Sequence, residues 1–281
     1  MLDFGVLGPL RVVVDGTPRR IGPRKHRILL ASLLLRANRP VYLDELIDRL
    51  WPATPPSGAR RTVQTYAMRL RQELGGAGRL VRTQAEAYSI ELAVDELDLS
   101  RFTRFTELAA GAVHAGDRQA ARTHLRTALT LWRGTPLADV ASIELSRTAV
   151  PHLVELYCRT IEQRVELDLD LDPSPGREGL VGELRVLVTE HPFRERFWTL
   201  LMRALCRAGR PAEALAVYHE VDRLLGAELG VVPGEELRRL HAEVMAGSTP
   251  TPQPVPVVQD RLRELLTEAL NLIGATGREP G

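Results

Sequence analysis

Apolar positions recur along this chain with two different periods. From Leu2 to Ile21 they come in short runs, Leu2 to Leu7, Leu10 to Val14 and a third ending at Ile21, with a turn signal at Asp15-Gly16, which predicts a small antiparallel sheet. Beyond Pro23 the spacing changes to three and four. Ile28, Leu29, Ala31, Leu33 and Leu35 mark a first helix that Asn38, Arg39 and Pro40 end, and Leu43, Leu46, Ile47 and Leu50 mark a second, from Leu43 to Trp51. The segment from Pro52 to Gly58 interrupts the pattern. A third helix spans Ala59 to Leu74, with Ser57 as its expected cap and Gly75-Gly76 as its stop. Two short β-runs, Leu80 to Thr83 and Tyr88 to Leu92, flank a hairpin at Gln84 to Ala87. Sheet, three helices and hairpin in that order predict an α+β winged helix-turn-helix with an extra N-terminal sheet.

After Asp95 only helical periods remain, at about 99–115, 117–133, 142–168, 177–190, 194–208, 211–226 and 234–246. The alternation Val165 to Asp172 has the period of a strand. Because Pro173 and Pro175 follow, it is read as a fraying helix end and an acidic loop. A weak repeat of about 34 residues aligns Leu180, Leu184 and Leu187 with Ala214, Tyr218 and Val221, and Ala115-Gly116 and Ala208-Gly209 stand at similar tight turns. That spacing is characteristic of tetratricopeptide-like helix hairpins, which stack to bury a shared face and bind other proteins. The whole is therefore expected to be mainly α: a winged helix-turn-helix over 1–94, an all-α helical-repeat domain over 95–247, a Pro-rich linker at 248–256 and an amphipathic tail helix at 257–273.

The third helix has two faces. Val63, Tyr66, Ala67, Leu70 and Leu74 follow the core-facing spacing, and the other side presents Arg61, Gln64, Thr65, Met68, Arg69 and Gln72. Guanidinium groups pair bidentately with guanine and glutamine with adenine in the major groove. Base contacts are accordingly assigned to Gln64, Thr65, Met68 and Arg69, led by Gln64 and Arg69. Phosphate contacts are assigned to Arg61 and Thr62 near the helix start and Arg71 on its flank, with Arg24 and Lys25 at the first helix and Arg82 on the wing. A solvated basic face is the plain alternative for such a helix; its place in a winged-helix succession of elements argues against it.

Charge sharpens the picture. Residues 1 to 83 hold fifteen Arg or Lys against six Asp or Glu, net +9, whereas the whole chain is +1, leaving about −8 for the remainder. A cationic first third suits a polyanionic partner, since neutralised phosphates release counterions. Lys25 is the only lysine, and with abundant Ala, Gly and Pro this implies GC-rich codons and a high-GC bacterial source. Cys158 and Cys206 show no metal or disulfide spacing, the seven histidines are scattered singly, and no GxSxG, HExxH, GxGxxG or GxxxxGK[ST] motif is present in context. No catalytic residue, metal or cofactor is expected. Without a leader-like start or a long apolar run, the expected location is the cytoplasm, with no membrane partner.

The segments FGVLGPLRVVVDG, PRKHRILLASLLLRANRPVYLDELIDRLW, RRTVQTYAMRLRQEL, DELDLSRF, LTLWRGTPLAD and EHPFRERFWTLLMRALCRAGRPAEALAVYHEVDRLLGAELGVVPGEELRRLH closely resemble the antibiotic-regulatory activators of actinomycetes, the SARP type, from residue 1 to about 246. The resemblance implies an OmpR-like winged helix joined to a bacterial transcriptional activator domain. It implies binding to direct repeats near a promoter's −35 region, head-to-tail dimers on that DNA, and recruitment of RNA polymerase to biosynthetic genes. The polymerase contact it implies is the loop of Trp51, Pro52, Thr54, Pro55 and Pro56. Three features depart from the pattern: a wing tip without glycine, where Glu86 would face phosphates, the extended acidic stretch at 168–178, and the tethered tail helix, which lies outside the resemblance and is a candidate for self-association. A helical adaptor that binds only protein is the alternative function.

Overall fold

The computed structural model describes residues 2–171 and 178–247. The expected linker at 248–256 and tail helix at 257–273 lie outside the described residues. Two compact units are present, residues 2–115 with 123–158 and residues 116–122 with 159–247 of the described chain.

The first unit opens with an antiparallel sheet of β1 (Leu2–Gly5), β2 (Arg11–Val14) and β3 (Thr17–Pro18), in that order, with Leu2 opposite Val14 and Gly5 opposite Arg11. Asp15 and Gly16 both take positive φ, 52° and 76°, the backbone a two-residue hairpin turn between right-twisted strands needs. Helix α1 (Arg24–Leu34) is buried along His26 and Ile28 to Leu34, so its uniform apolar run reflects a central position. Asn38 ends the turn that follows at φ 65°, and its side-chain amide both donates to the Leu92 carbonyl (2.9 Å) and accepts from the Leu92 N–H (2.8 Å). Asparagine tolerates this left-handed backbone at low cost, and here it ties the end of α1 to Leu92, far along the chain.

Helices α2 (Leu43–Leu50) and α3 (Ala59–Leu74) follow, and then a short 3-10 turn at Gly75–Leu80. The wing is formed by β5 (Val81–Gln84) and β6 (Ala87–Ile90), which matches the expected hairpin to within two residues. A strand the sequence reading lacks, β4 (Val41–Tyr42), adds to β6 with Val41 opposite Tyr88, giving the order β4-β6-β5. Two residues cannot show a period, so only pairing reveals it. Through β4 the wing is fixed to the start of α2, where the Leu43 N–H donates to the Glu86 carbonyl at 2.9 Å.

Helices α4 (Asp98–His114), α5 (Arg118–Leu129), α6 (Ile143–Leu171), α7 (Glu178–Glu190), α8 (Glu195–Arg207), α9 (Pro211–Leu229) and α10 (Glu235–Met245) follow among the described residues, close to the expected spans. The fold is thus mainly α, with a small sheet at its start and a winged helix-turn-helix ahead of helical hairpins. Asp98 opens α4 and is 1% exposed; its carboxylate accepts from the N–H groups of Val6 (2.9 Å) and Leu7 (3.1 Å) and from Arg133 Nη2 (3.0 Å). A parallel bridge between Phe4 and Leu97 lies beside it. The core of this unit accordingly runs from Phe4 and Leu7 of the first sheet through Leu33, Leu46 and Leu70 to Phe102, Leu145 and Leu153.

In the second unit α8 packs on α7 and α9, and α10 on α8 and α9. The repeat seen in the sequence is structural: Leu184, Leu187, Ala214 and Val221 are buried, and Gly116 and Gly209 end α4 and α8 at φ 78° and 73°. One expectation is corrected. The helix does not fray at residue 168: α6 continues to Leu171, with Val165, Leu167 and Leu169 all at most 1% exposed. In a helix those positions point in different directions, so the intervening acids are buried too. They persist because each meets arginine: Glu166 with Arg196, Asp168 with Arg164 (3.0 Å), and Asp170 with Arg118 (3.3 Å) and Arg207 (3.5 Å).

Candidate nucleic-acid interface

The interface centres on α3. Its apolar side, Ala59, Val63, Ala67, Leu70 and Leu74, is buried. Arg61, Gln64, Met68, Arg69 and Gln72 are exposed on the other, Met68 to 51%. Burying five residues of that size stabilises the helix by several kcal/mol, at about 1.5–3 kcal/mol for each large aliphatic side chain, which holds the polar face in place without its help. Tyr66, expected in the core, is half-buried and sandwiched, edge-on to His26 at 5.3 Å and stacked on Trp51 at 6.1 Å. His26 Nδ1 lies 2.5 Å from Glu73 Oε1, joining α1 to the last turn of α3.

The N-terminus of α3 is built differently from expectation. Ser57 does not cap it; Gly58 occupies the cap position without a side-chain hydrogen bond. The Ala59 N–H donates to the Pro56 carbonyl and the Thr62 N–H to Gly58, both at 2.9 Å. The chain's turn through Pro55-Pro56 thus replaces a side-chain cap. With no acidic residue in the first turn, the positive end of the helix dipole faces outward beside Arg60 and Arg61. The hydroxyls of Thr62 and Thr65 donate back to the carbonyls of Gly58 (3.0 Å) and Arg61 (3.1 Å), which leaves their lone pairs outward.

Of the cations assigned to phosphate, only some are free of protein partners. Arg61 is exposed and its guanidinium makes no hydrogen bond or ion pair within the described residues. Arg71 donates through Nε to the Val81 carbonyl (3.0 Å) and through Nη2 to Thr83 Oγ1 (2.6 Å), with its guanidinium 5.9 Å from the centre of the Tyr88 ring. It fastens α3 to the wing. Lys25 donates to the Leu50 carbonyl at the end of α2 and sits 4.9 Å over Trp51; burial, and then neighbouring Arg24, lower its pKa. Arg24 is exposed and donates to the Ala141 carbonyl at 2.8 Å, and Arg82 pairs with Glu91 on the wing surface at 2.9 Å.

Arg60, which ends the Pro52 to Arg60 loop that the resemblance assigns to polymerase, has a contact within the protein that the sequence did not single out. It bridges Asp44 of α2 (2.8 Å) and Glu86 at the wing tip, and these bonds raise its pKa, Glu86 contributing most. The doubled Arg60-Arg61 at the helix start was its only signal. The loop assigned to polymerase divides in two: Trp51 is half-buried against Tyr66, while Pro52, Thr54, Pro55 and Pro56 are exposed. Among the described residues no group of three or more potential ligands is placed to hold a metal ion, and no helix is long and apolar enough to cross a membrane.

Residues 18–87 match the family model for the C-terminal domain of transcriptional regulatory proteins, and residues 97–245 match the bacterial transcriptional activator domain. The regulatory protein DnrI of Streptomyces peucetius is 33% identical over 87% of this chain and 92% of its own length. The transcriptional regulatory protein EmbR of Mycobacterium tuberculosis is 37% identical over 87% of this chain, which spans 63% of that relative. A solved structure of EmbR in complex with a low-affinity phosphopeptide superposes with a TM-score of 0.81 at 33% identity, covering 97% of this chain and 70% of that one. Both relatives are regulatory proteins, EmbR a transcriptional one. With both domains matched in order and the similarity extending over nearly the whole of DnrI, the chain belongs to the SARP-type family of antibiotic-regulatory transcriptional regulators.

Proposed function

We propose that this protein is a sequence-specific DNA-binding activator that occupies direct repeats near a promoter's −35 region as a head-to-tail dimer and recruits RNA polymerase to biosynthetic genes. The observation that carries the reading is the exposed ridge Arg61, Gln64, Met68, Arg69 and Gln72 on a helix whose opposite side is locked in the core. In this reading Gln64, Thr65, Met68 and Arg69 meet base edges, and Arg61, Thr62 and the outward helix dipole meet phosphates. Arg24, Lys25, Arg71 and Arg82 add backbone contacts with the N–H groups their protein partners leave over, and the Pro52 to Pro56 loop is offered to polymerase. The adaptor alternative leaned on Glu86 as a repulsive charge; its pairing with Arg60 weakens that support.

Gel shifts with the promoter regions of the linked biosynthetic genes, repeated from low to high salt, test the reading. Binding is expected to fall steeply with salt and to exceed that of random duplex by at least about 10³-fold. Arg69→Ala should relax base preference at a cost of about 1–3 kcal/mol, and Arg61→Ala should weaken all sequences alike. Equal affinity for promoter and random DNA at every salt concentration would establish the adaptor instead.

A further inference from the structure

Helix α8 of the second unit is buried from Phe197 to Leu205, and within that stretch lies a charged residue, Arg203, only 5% exposed. Arg196, Arg203 and Arg207, spaced by seven and four, share one side of the helix. The outer two are satisfied. Arg196 pairs with Glu166 of α6 and Glu236 of α10, and Arg207 donates to the Leu169 carbonyl and to Asp170, which it shares with Arg118. The Arg203 side chain makes no hydrogen bond or ion pair within the described residues. Burial, and then the guanidiniums of Arg207 and Arg196, push its pKa down against the opposing pull of Asp170 and Glu236. Charges this deeply buried are paired as a rule, because the lost hydration must be replaced.

We propose that Arg203 anchors a binding site for a single carboxylate in the helical-repeat unit. The neighbouring charges select the ligand class: the guanidiniums of Arg207 and Arg196 beside Arg203 favour an anion, and the nearby carboxylates of Asp170 and Glu236 disfavour a phosphate dianion more than a singly charged group. The planar fork of arginine fits a carboxylate bidentately, and the slight exposure admits only its tip. That carboxylate belongs either to a small organic acid or to an acidic side chain of a bound protein. Both sources present the same group to Arg203.

Thermal melts of the full chain in sodium acetate against sodium chloride, at equal ionic strength, test this directly. Acetate is expected to raise Tm by roughly 3 °C for each tenfold increase above its dissociation constant. In Arg203→Met the acetate shift should vanish, while the melting point in chloride stays at or above that of the wild type because an uncompensated charge has gone. In Arg203→Lys, which keeps the charge without the fork, the shift should shrink. A terminally blocked aspartyl peptide matching or exceeding acetate places the ligand on a protein; response to acetate alone places it on a small acid. Equal acetate shifts in wild type and Arg203→Met would overturn the site, as would no shift in the wild type or a larger one with inorganic phosphate. Should Arg203→Met not fold, an undiminished shift in Arg203→Lys overturns it equally. Promoter binding in chloride is read separately, so loss of the acetate response leaves the DNA-binding proposal standing.

Discussion

The guanidinium of Arg60, in the first turn of α3, is bonded to the carboxylate of Glu86 at the tip of the wing. The same group holds Asp44 of α2 at 2.8 Å, so helix, wing and the preceding helix meet through one exposed side chain.

Glu86→Gln removes one negative charge from the surface that the proposed function turns toward DNA and frees a positive one beside the helix start. Affinity for random duplex at low salt should rise several-fold, and the slope of log affinity against log salt should steepen by about one. The melting temperature should hardly move, since the pair is solvent-exposed. Salt-titrated gel shifts of the two proteins read this out.

Asp98→Ala leaves the Val6 and Leu7 N–H groups and the Arg133 guanidinium without their acceptor in a site that is 1% exposed. Each buried donor left unpaired costs about 1–3 kcal/mol, so the loss should reach roughly 3 kcal/mol or more in urea unfolding. Asp98→Asn should fall between, because its carbonyl still accepts.

Gly78→Ala places a methyl group 2.2 Å from the Arg71 carbonyl oxygen and 2.9 Å from its carbon. That neighbour is helix backbone and cannot swing aside, so the end of α3 must shift at a cost of about 1–3 kcal/mol. Because Arg71 holds the wing, promoter affinity should fall with stability. Gly76→Ala, where the added methyl meets nothing within 4 Å, serves as the control.

His241 stacks on Tyr218 at 3.9 Å, and its Nε2 is buried without a partner. Burial, and then His219, hold its pKa below the ordinary 6.5, only partly opposed by Asp222. The unfolded chain therefore takes up the proton first: this contribution to stability is intact above pH 6.5 and is lost as the pH falls toward the folded value. His241→Phe, which keeps the stack and cannot titrate, should flatten the stability profile in that window. Tm measured at half-unit pH steps decides it.

Local periodicity made much of this molecule legible. Sixteen residues of clean helical spacing ended by paired glycines located α3 to the residue and separated its two faces. What stayed hidden depends on partners far along the chain. Strand β4 exists only through its pairing with β6, and Arg71, indistinguishable by spacing from a phosphate-binding cation, is tied to Val81 and Thr83. The acids of α6 read as a strand or a loop because alternation ordinarily signals one exposed side. Arginines on α5 and α8 permit both sides to be buried, and no window of α6 alone contains them.

Asp98 has a practical corollary for dissecting the molecule. The change of rhythm after residue 94 invites excision there of a minimal DNA reader. Such a fragment would leave Val6 and Leu7 with bare amides, forfeit the Leu97 bridge, and strip the core that holds Phe4 of Phe102, Leu145 and Leu153. A self-sufficient reader is expected to need the helical segments after residue 97 that share this core, among them those carrying Phe102, Leu145 and Leu153.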